Sequence, residues 1–439
     1  MNIIYCLNSF LPQQVAGTEV YTLSLAKIMQ ERGNIVTIVI PNFGNSIDEI
    51  YYHENIKVIK FAETTLMSRK LISGEVIPNG VVSFEAIIKN IKPDIIHFHT
   101  VGGSNGISLH HVRVAKKNKL TIVITFHLAG YTCNTSNLLF ENKEPCNGLI
   151  DPLKCTKCVY TNKGIIGFKK SILYNIAKVT YAVNYNTRNW NNTVGTALSY
   201  PFIINKMKTD LLEMVSLADK IVVLTNWYKK VLEINNLPKE KLQIISQGLA
   251  GYPLTNNRNE ITDYIKIVFV GRINESKGLH LLLKAISEIS SNIELDIYGP
   301  INDEDYAIKW KFFSANYSTI RWMGVIEPSH IVHTLSTYHI LCLPSVICEM
   351  SPLVIQEAYA AGIPVLASNV YGNAEQIVDG HNGWLFNFDD SFDLKNKLQQ
   401  LIADPSLIEK AKANILPVKS FDIVADEHEK MYSEILTAV

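Results

Sequence analysis

Two carboxylates, Glu349 and Glu357, stand eight positions apart where an apolar strand hands over to a helix. The run Ile340-Leu341-Cys342-Leu343 reads as a buried strand. Ser351 then reads as an N-cap and Pro352 as the first helical residue. Gly362 ends that helix, and Pro364-Val365-Leu366-Ala367 begins the next strand. Such a helix start presents free N–H groups to the carboxyl edge of a parallel sheet, a place that binds phosphate. Glu357 lies about a turn and a half inside the helix, among Val354, Ile355 and Ala358. A carboxylate there needs a polar partner, and ligand hydroxyls are one candidate.

Cations with the complementary chemistry occur earlier. Gly271-Arg272-Ile273-Asn274-Glu275-Ser276-Lys277-Gly278-Leu279 follows the strand Ile267-Val268-Phe269-Val270 and leads into a helix starting near Leu279. Arg272 and Lys277 can reach one diphosphate, the first by a forked contact and the second as a point charge. The plain alternative is two solvated cations in a loop. No Walker loop occurs, and no G-x-G-x-x-G follows the first strand, which disfavours a dehydrogenase. Asp303-Glu304-Asp305 has the look of a metal-binding D-x-D but falls in a polar loop, and it reads as solvated acidic surface.

Four of the seven cysteines, Cys133, Cys146, Cys155 and Cys158, gather between 130 and 160. Cys155-Thr156-Lys157-Cys158 is a C-x-x-C knuckle, and four thiolates from one loop suit a closed tetrahedral zinc site. A reducible pair of disulfides or free thiols are the alternatives. From Lys154 to Lys230, twelve basic residues face only Asp210, Glu213 and Asp219, with Phe168, Tyr174, Tyr181, Tyr185 and Trp190 interleaved. That composition suits an anionic membrane surface, or else a solvated helical face over an aromatic core.

The elements that position these residues follow from the pattern of short β-rich runs alternating with helical periodicity. It argues α/β, doubly wound. Strands are expected at 2–7, 35–40, 57–61, 94–98, 120–126 and 220–224, then at 265–270, 293–297, 319–322, 340–343 and 364–367. The stretch Glu19 to Glu31 reads as a helix. The polar run Thr255-Asn256-Asn257-Arg258-Asn259-Glu260 reads as a linker, with a hinge near 250–260. Two Rossmann-like domains follow: 1–250 with the cysteine insertion 130–160, and 260–420. A last helix, Phe421 to Leu436, returns to the first domain, and a ligand cleft is expected between the two carboxyl edges.

Size and composition agree. The 439 residues fit two large domains, and 47% hydrophobic against 19% charged residues is too apolar for disorder. A net charge of zero gives no field for nucleic acid. No apolar run reaches transmembrane length and no basic leader precedes the first strand, so a cytoplasmic protein without structural disulfides is expected.

Taken together, these motifs resemble the donor site of the retaining GT-B glycosyltransferases, family GT4. The likeness rests on Arg272 with Lys277-Gly278, on Glu349 with Glu357, and on Ala360-Ala361-Gly362-Ile363-Pro364-Val365. It extends through Leu295-Asp296-Ile297-Tyr298-Gly299, Met323-Gly324-Val325, the run Asn373 to Gly380, and Gly383-Trp384-Leu385-Phe386. In the first half, Ala16-Gly17-Thr18-Glu19, Pro93-Asp94-Ile95-Ile96-His97 and Thr125-Phe126-His127 match more loosely. Some members of the family carry a similar cysteine-bearing insertion. Two departures stand out: Ala16-Gly17 replaces the usual Gly-Gly, and Ser246-Gln247-Gly248-Leu249 replaces an Asn-Gly-Val-Asp turn.

The resemblance implies a hexosyltransferase acting on a nucleotide-sugar donor, with a UDP-sugar favoured and a GDP-sugar the other option. Arg272 and Lys277 would hold the diphosphate, Glu357 the ribose hydroxyls and Glu349 the transferred sugar. Backbone N–H groups near Met350, Ser351 and Leu353 would meet a phosphate, and the base would sit near Gly299 and Val325. Gly17 would let the first domain approach the diphosphate, and His127 would face the sugar, its plain alternative being a packed histidine. Chemistry would be front-face displacement, with no catalytic metal. The acceptor would be a saccharide or lipid-linked saccharide of bacterial surface polysaccharide or glycolipid assembly, handled at the cytoplasmic face of the inner membrane. A sugar-nucleotide epimerase or phosphorylase on a similar fold, and a non-catalytic nucleotide-sugar binding module, are the competing readings.

Overall fold

The computed structural model of the chain describes residues 1–65, 68–72, 74–102, 106–249, 260–261, 264–289 and 292–437. The linker expected at 255–260 and the hinge near 250–260 lie, Glu260 apart, outside the described residues. The chain forms two compact units, Met1–Gln247 with Phe421–Val439, and Gly248–Ser420.

The first unit is built on β1 (Asn2–Cys6), β2 (Ile35–Phe43), β3 (Glu49–His53), β4 (Ile56–Glu63), β5 (Ile95–Phe98) and β6 (Thr121–Phe126). A short hairpin of β7 (Leu139–Phe140) and β8 (Glu144–Pro145) follows, then β9 (Lys220–Val223) and β10 (Leu242–Ile244). Eight of these strands form one sheet in the order β10-β9-β6-β5-β1-β2-β4-β3. All pairs are parallel except β3 on β4. The inner strands are β-branched runs buried on both faces, as a parallel sheet between helices requires. β1 has β5 on one side and β2 on the other, so the loops after β1 and β5 flank the point where strand order reverses. The helix Gly17–Glu31 starts from the first of these loops.

The returning helix is present as Phe421–Thr437 and packs against the Gly17–Glu31 helix within this unit. Its buried face is Phe421, Val424, Ala425, His428, Met431, Tyr432 and Ile435, a spacing of three and four that keeps one stripe inward.

The second unit carries β11 (Ile265–Val270), β12 (Ile293–Tyr298), β13 (Ile320–Gly324), β14 (Ile340–Leu343), β15 (Val365–Ser368) and β16 (Gly383–Phe386). They form a six-stranded parallel sheet in the order β13-β12-β11-β14-β15-β16. The sheet is cored by Ile267, Phe269, Leu282, Leu295 and Leu366 on one side and by Val268, Leu341, Ile355 and Val365 on the other. Its reversal lies between β11 and β14, and the loops that leave those two strands are the ones holding Arg272–Lys277 and Glu349.

The α/β doubly wound expectation is borne out. Five strands escaped it, among them the two-residue β7 and β8. β3 is a polar edge strand, β10 is three residues long, and β16 opens on Gly383, so none shows a long apolar run.

Candidate functional site

In the second unit, two loops are locked to each other by backbone. Gly278 is left-handed, φ +68°, and a Cβ there would fall 1.7 Å from the Pro344 carbonyl oxygen. Only glycine lets the chains pass so closely. Beside it, the Val346 N–H donates to the Ser276 carbonyl at 3.0 Å. The loops so joined carry opposite charges that meet: Lys277 Nζ lies 2.5 Å from Glu349 Oε1, with both side chains nearly buried. The Ser345 hydroxyl donates to the same oxygen at 2.8 Å. Arg272 is exposed and makes no ion pair among the described residues. The structure thus brings Lys277 and Glu349 together and leaves Arg272 as the unpaired cation beside them in sequence.

Glu357 is the outlier. It sits in the helix Leu353–Ala360 among Ile355, Ala358 and Ala360, and its carboxylate makes no hydrogen bond or ion pair among the described residues. Burial pushes its pKa up to about 7. A carboxyl held in apolar surroundings without a partner destabilises the fold, so a ligand is the physical reason left for it.

The start of that helix differs from expectation. Ser351 is not the N-cap and Pro352 is not helical: Pro352 itself occupies the cap position, with ψ 119°, and Leu353 is the first helical residue. No side chain caps this end. The N–H groups of the first turn therefore start at Leu353 rather than at Pro352, which has none to offer.

On the other side of the reversal, the Gly299 N–H donates to the Gly324 carbonyl at 2.7 Å, so Gly299 and the Met323-Gly324-Val325 turn are neighbours at the ends of β12 and β13. Val325 and Met323 are exposed there. Asp303 is on the surface, where it caps the helix Glu304–Ser314 by accepting from the Tyr306 N–H.

Sequence reasoning missed two supports. Ser345, which fixes Glu349, looked like an ordinary loop serine after β14. Gly372 presses on the Glu349 backbone: a Cβ there would come 2.1 Å from the Glu349 carbonyl oxygen and 2.7 Å from that of Met350. Its place beside the quoted Asn373 run was the available signal.

In the first unit, Gly17 is the first residue of its helix, after an extended Ala16 that offers no side-chain cap. A Cβ at Gly17 would meet nothing within 4 Å. The fold does not demand glycine there. His127 is buried, its Nε2 3.1 Å from His99 Nδ1 and its ring edge-on to Tyr21. Around it, His97 bonds Tyr432 and Thr125 at 2.6 and 2.7 Å, and His428 bonds Tyr21 at 2.8 Å. Burial lowers the pKa of His127 to about 3, and those of His97 and His99 also fall well below the imidazole range. The packed-histidine alternative describes these contacts.

A cavity of about 510 Å³ opens in the same unit, lined by Tyr131, Tyr200, Ile203, Met207 and Met214 together with Arg113, Arg188 and Lys206. Arg113 pairs with Glu213 and Lys206 with Asp210, so its wall is amphipathic. Close by, Cys133, Cys146, Cys155 and Cys158 line one small apolar cavity as free thiols. Burial raises the pKa of Cys155 to about 11 and also raises that of Cys158. Among the described residues, no three Cys, His, Asp or Glu side chains are drawn together as a finished metal site.

Comparison with known proteins follows these two halves. Residues 254–415 match the family model described as glycosyl transferases group 1, and residues 14–143 match glycosyl transferase 4-like. The two together take in about two thirds of the chain. The capsular polysaccharide biosynthesis glycosyltransferase CapM of Staphylococcus aureus is 25% identical over 250 residues, covering 52% of this chain and 65% of CapM. The chain spans about half to two thirds of the length of the curated relatives it matches. Among solved structures, sucrose-phosphate synthase from Thermosynechococcus elongatus superposes over 100% of both chains with a TM-score of 0.66 at 15% identity. Anabaena HepE in complex with UDP-glucose does so over 100% of both with a TM-score of 0.60 at 13% identity. At these identities the likeness is one of fold.

Proposed function

The chain belongs to the glycosyltransferases of group 1 and has the GT-B fold, and we propose that it moves a sugar from a nucleotide-sugar donor to an acceptor hydroxyl. The observation that carries the reading is Glu357, a mostly buried carboxylate with no partner among the described residues. Ribose hydroxyls would donate to it and end its isolation. Arg272 supplies the cation for the diphosphate, joined by the first-turn N–H groups from Leu353 and by the backbone of Met350 and Ser351. Glu349, held by Lys277 and Ser345, takes hydroxyls of the transferred sugar. Gly299 and Val325 border the base. Gly17 offers a phosphate a bare backbone at the start of its helix, and His127 packs within its own unit against His99 and Tyr21.

The reaction we propose retains anomeric configuration. The bond from the anomeric carbon to the diphosphate oxygen breaks, the acceptor oxygen bonds the same face, and the acceptor proton passes to the departing phosphate. Arg272 offsets the charge that builds on that leaving group. We propose a uridine donor before a guanosine one; HepE, a neighbour in fold, binds UDP-glucose. CapM, by its name, serves capsular polysaccharide biosynthesis. A saccharide or lipid-linked saccharide acceptor, met at the cytoplasmic membrane face in bacterial surface polysaccharide or glycolipid assembly, is the matching role here. The amphipathic 510 Å³ cavity is our choice for it.

A panel of UDP- and GDP-sugars, assayed for nucleotide release with and without bacterial lipid extract, tests the reading. Acceptor-dependent release from one donor supports it. Binding of a donor without any turnover would favour a binding module, and interconversion of the sugar on its nucleotide would favour an epimerase.

For the four cysteines we propose a structural zinc, with thiolates that the metal would draw in and deprotonate. Elemental analysis of protein purified without chelator should find about one zinc per chain; its absence would leave four free thiols.

A further inference from the structure

One helix of the first unit turns an apolar stripe outward. Gly167–Ala182 buries only Ala177 completely. Its inner face is pinned: Lys170 Nζ bonds Glu141 at 2.7 Å, Lys157 lies over the Tyr174 ring, and Tyr181 meets Phe202 edge-on. The outer face carries Phe168, Ile172, Ile176, Val179 and Val183, spaced by four, four, three and four, so they fall within one arc of the helix. They are 80%, 44%, 44%, 61% and 67% exposed. Ile166, just before the helix, is 67% exposed. An exposed apolar stripe of five side chains along one helix marks an interaction face.

Charge says which kind. From residue 152 to residue 209 the chain contains no Asp or Glu, against nine Lys and Arg. Lys169 and Lys178 border the apolar arc on opposite sides, and both are exposed without an ion pair among the described residues. Tyr185 and Trp190, exposed just beyond the helix, add the amphipathic rings that settle at headgroup depth. An apolar stripe edged by lysine and aromatic residues is the form of a helix lying in the interface of an anionic bilayer.

We propose that the Gly167–Ala182 helix is a membrane-docking element that seats the first unit on anionic phospholipid. Phe168, Ile172, Ile176, Val179 and Val183 enter the acyl boundary, and Lys169 and Lys178 meet the headgroups. Arg188, in the turn Thr187–Trp190 that follows, lines the amphipathic cavity, so a docked helix brings that cavity beside the lipid surface. The inference deepens the lipid-linked half of the proposed function, on which that last step rests, and the docking itself stands or falls separately.

The test is vesicle cosedimentation of the full chain without donor. Phosphatidylcholine vesicles containing phosphatidylglycerol should carry the protein down at low salt, and phosphatidylcholine alone should not. Each of Lys169→Gln and Lys178→Gln should weaken binding about fivefold. Ile172→Ser with Val179→Ser should abolish it while leaving the melting temperature and nucleotide affinity unchanged. No sedimentation with anionic vesicles at low salt would overturn the proposal. So would equal binding to both vesicle types, or a dimer in analytical ultracentrifugation that Ile172→Ser with Val179→Ser splits in a protein that binds no vesicle. Vesicle binding without any sugar transfer would defeat the transferase reading and leave the docking intact.

Discussion

At the scale of single residues, Glu357 sets function against stability. Its pKa in the fold is about 7, above the ordinary 4.5. A carboxyl raised in this way favours the fold below the unfolded value and loses that contribution as pH climbs through the folded one. Between pH 4.5 and 7 the loss amounts to about 3 kcal/mol. Glu357→Gln should therefore raise the melting temperature of the unliganded protein at pH 8 far more than at pH 4.5, and should weaken nucleotide binding about tenfold or more. Calorimetric melts at the two pH values and a titration with nucleoside diphosphate check both halves. A different outcome is expected for Arg272→Ala. The side chain is exposed, so the melt should hold while kcat falls on the order of 100-fold. The Lys277–Glu349 pair is nearly buried. Lys277→Met alone should cost about 3 kcal/mol by stranding the carboxylate, and Lys277→Met with Glu349→Leu should recover much of it in a urea titration while remaining inactive.

At the scale of elements, the loops after β11 and β14 act as one piece. Gly278 and Gly372 each bring backbone against backbone, one against Pro344 and the other against Glu349. Gly372→Ala should displace the Glu349 loop and raise the donor KM without touching a ligand-binding side chain; an unchanged KM would mean the loop position is set elsewhere. In the first unit, histidines tie the returning helix to the Gly17–Glu31 helix, through His428 and Tyr21, and to β5, through Tyr432 and His97. Burial holds His97, His99 and His127 neutral, and in the unfolded chain they protonate near pH 6.5. Stability is thus lost as pH falls below that value, and for His127, held at about 3, the loss at pH 5 is about 2 kcal/mol. Urea midpoints of the Glu357→Gln chain, in which the opposing carboxyl is gone, should fall from pH 7 to 5.

At the scale of the molecule, the inner strands could be read from composition because a parallel sheet buries both faces and needs continuous apolar runs. Arg272, Lys277, Glu349 and Glu357 could be read because charge in apolar context is conspicuous. What stayed hidden depends on three-dimensional approach. The Gly372 carbonyl contacts, the Ser345 bond and the absence of a hydroxyl cap at Leu353 are set by how loops meet, and no local pattern encodes that. The outward stripe on Gly167–Ala182 was likewise invisible, since an apolar helix reads the same whether its second face is covered or open. The His127 ring shows the same limit: its place at a strand end suggested a ligand contact, and its neighbours came from the end of β5 and from the Gly17–Glu31 helix.

The central claim is that a nucleotide sugar is held through Glu357 and spent through Arg272. The most direct measurement is single-turnover sugar transfer from the donor panel to lipid extract, run with the unchanged chain, Arg272→Ala and Glu357→Ala. The expected result is one donor turned over by the unchanged chain, with the anomeric configuration kept, a rate reduced in Arg272→Ala, and a weaker donor affinity in Glu357→Ala. Transfer at the full rate and affinity in both variants, or inversion at the anomeric carbon, would contradict it.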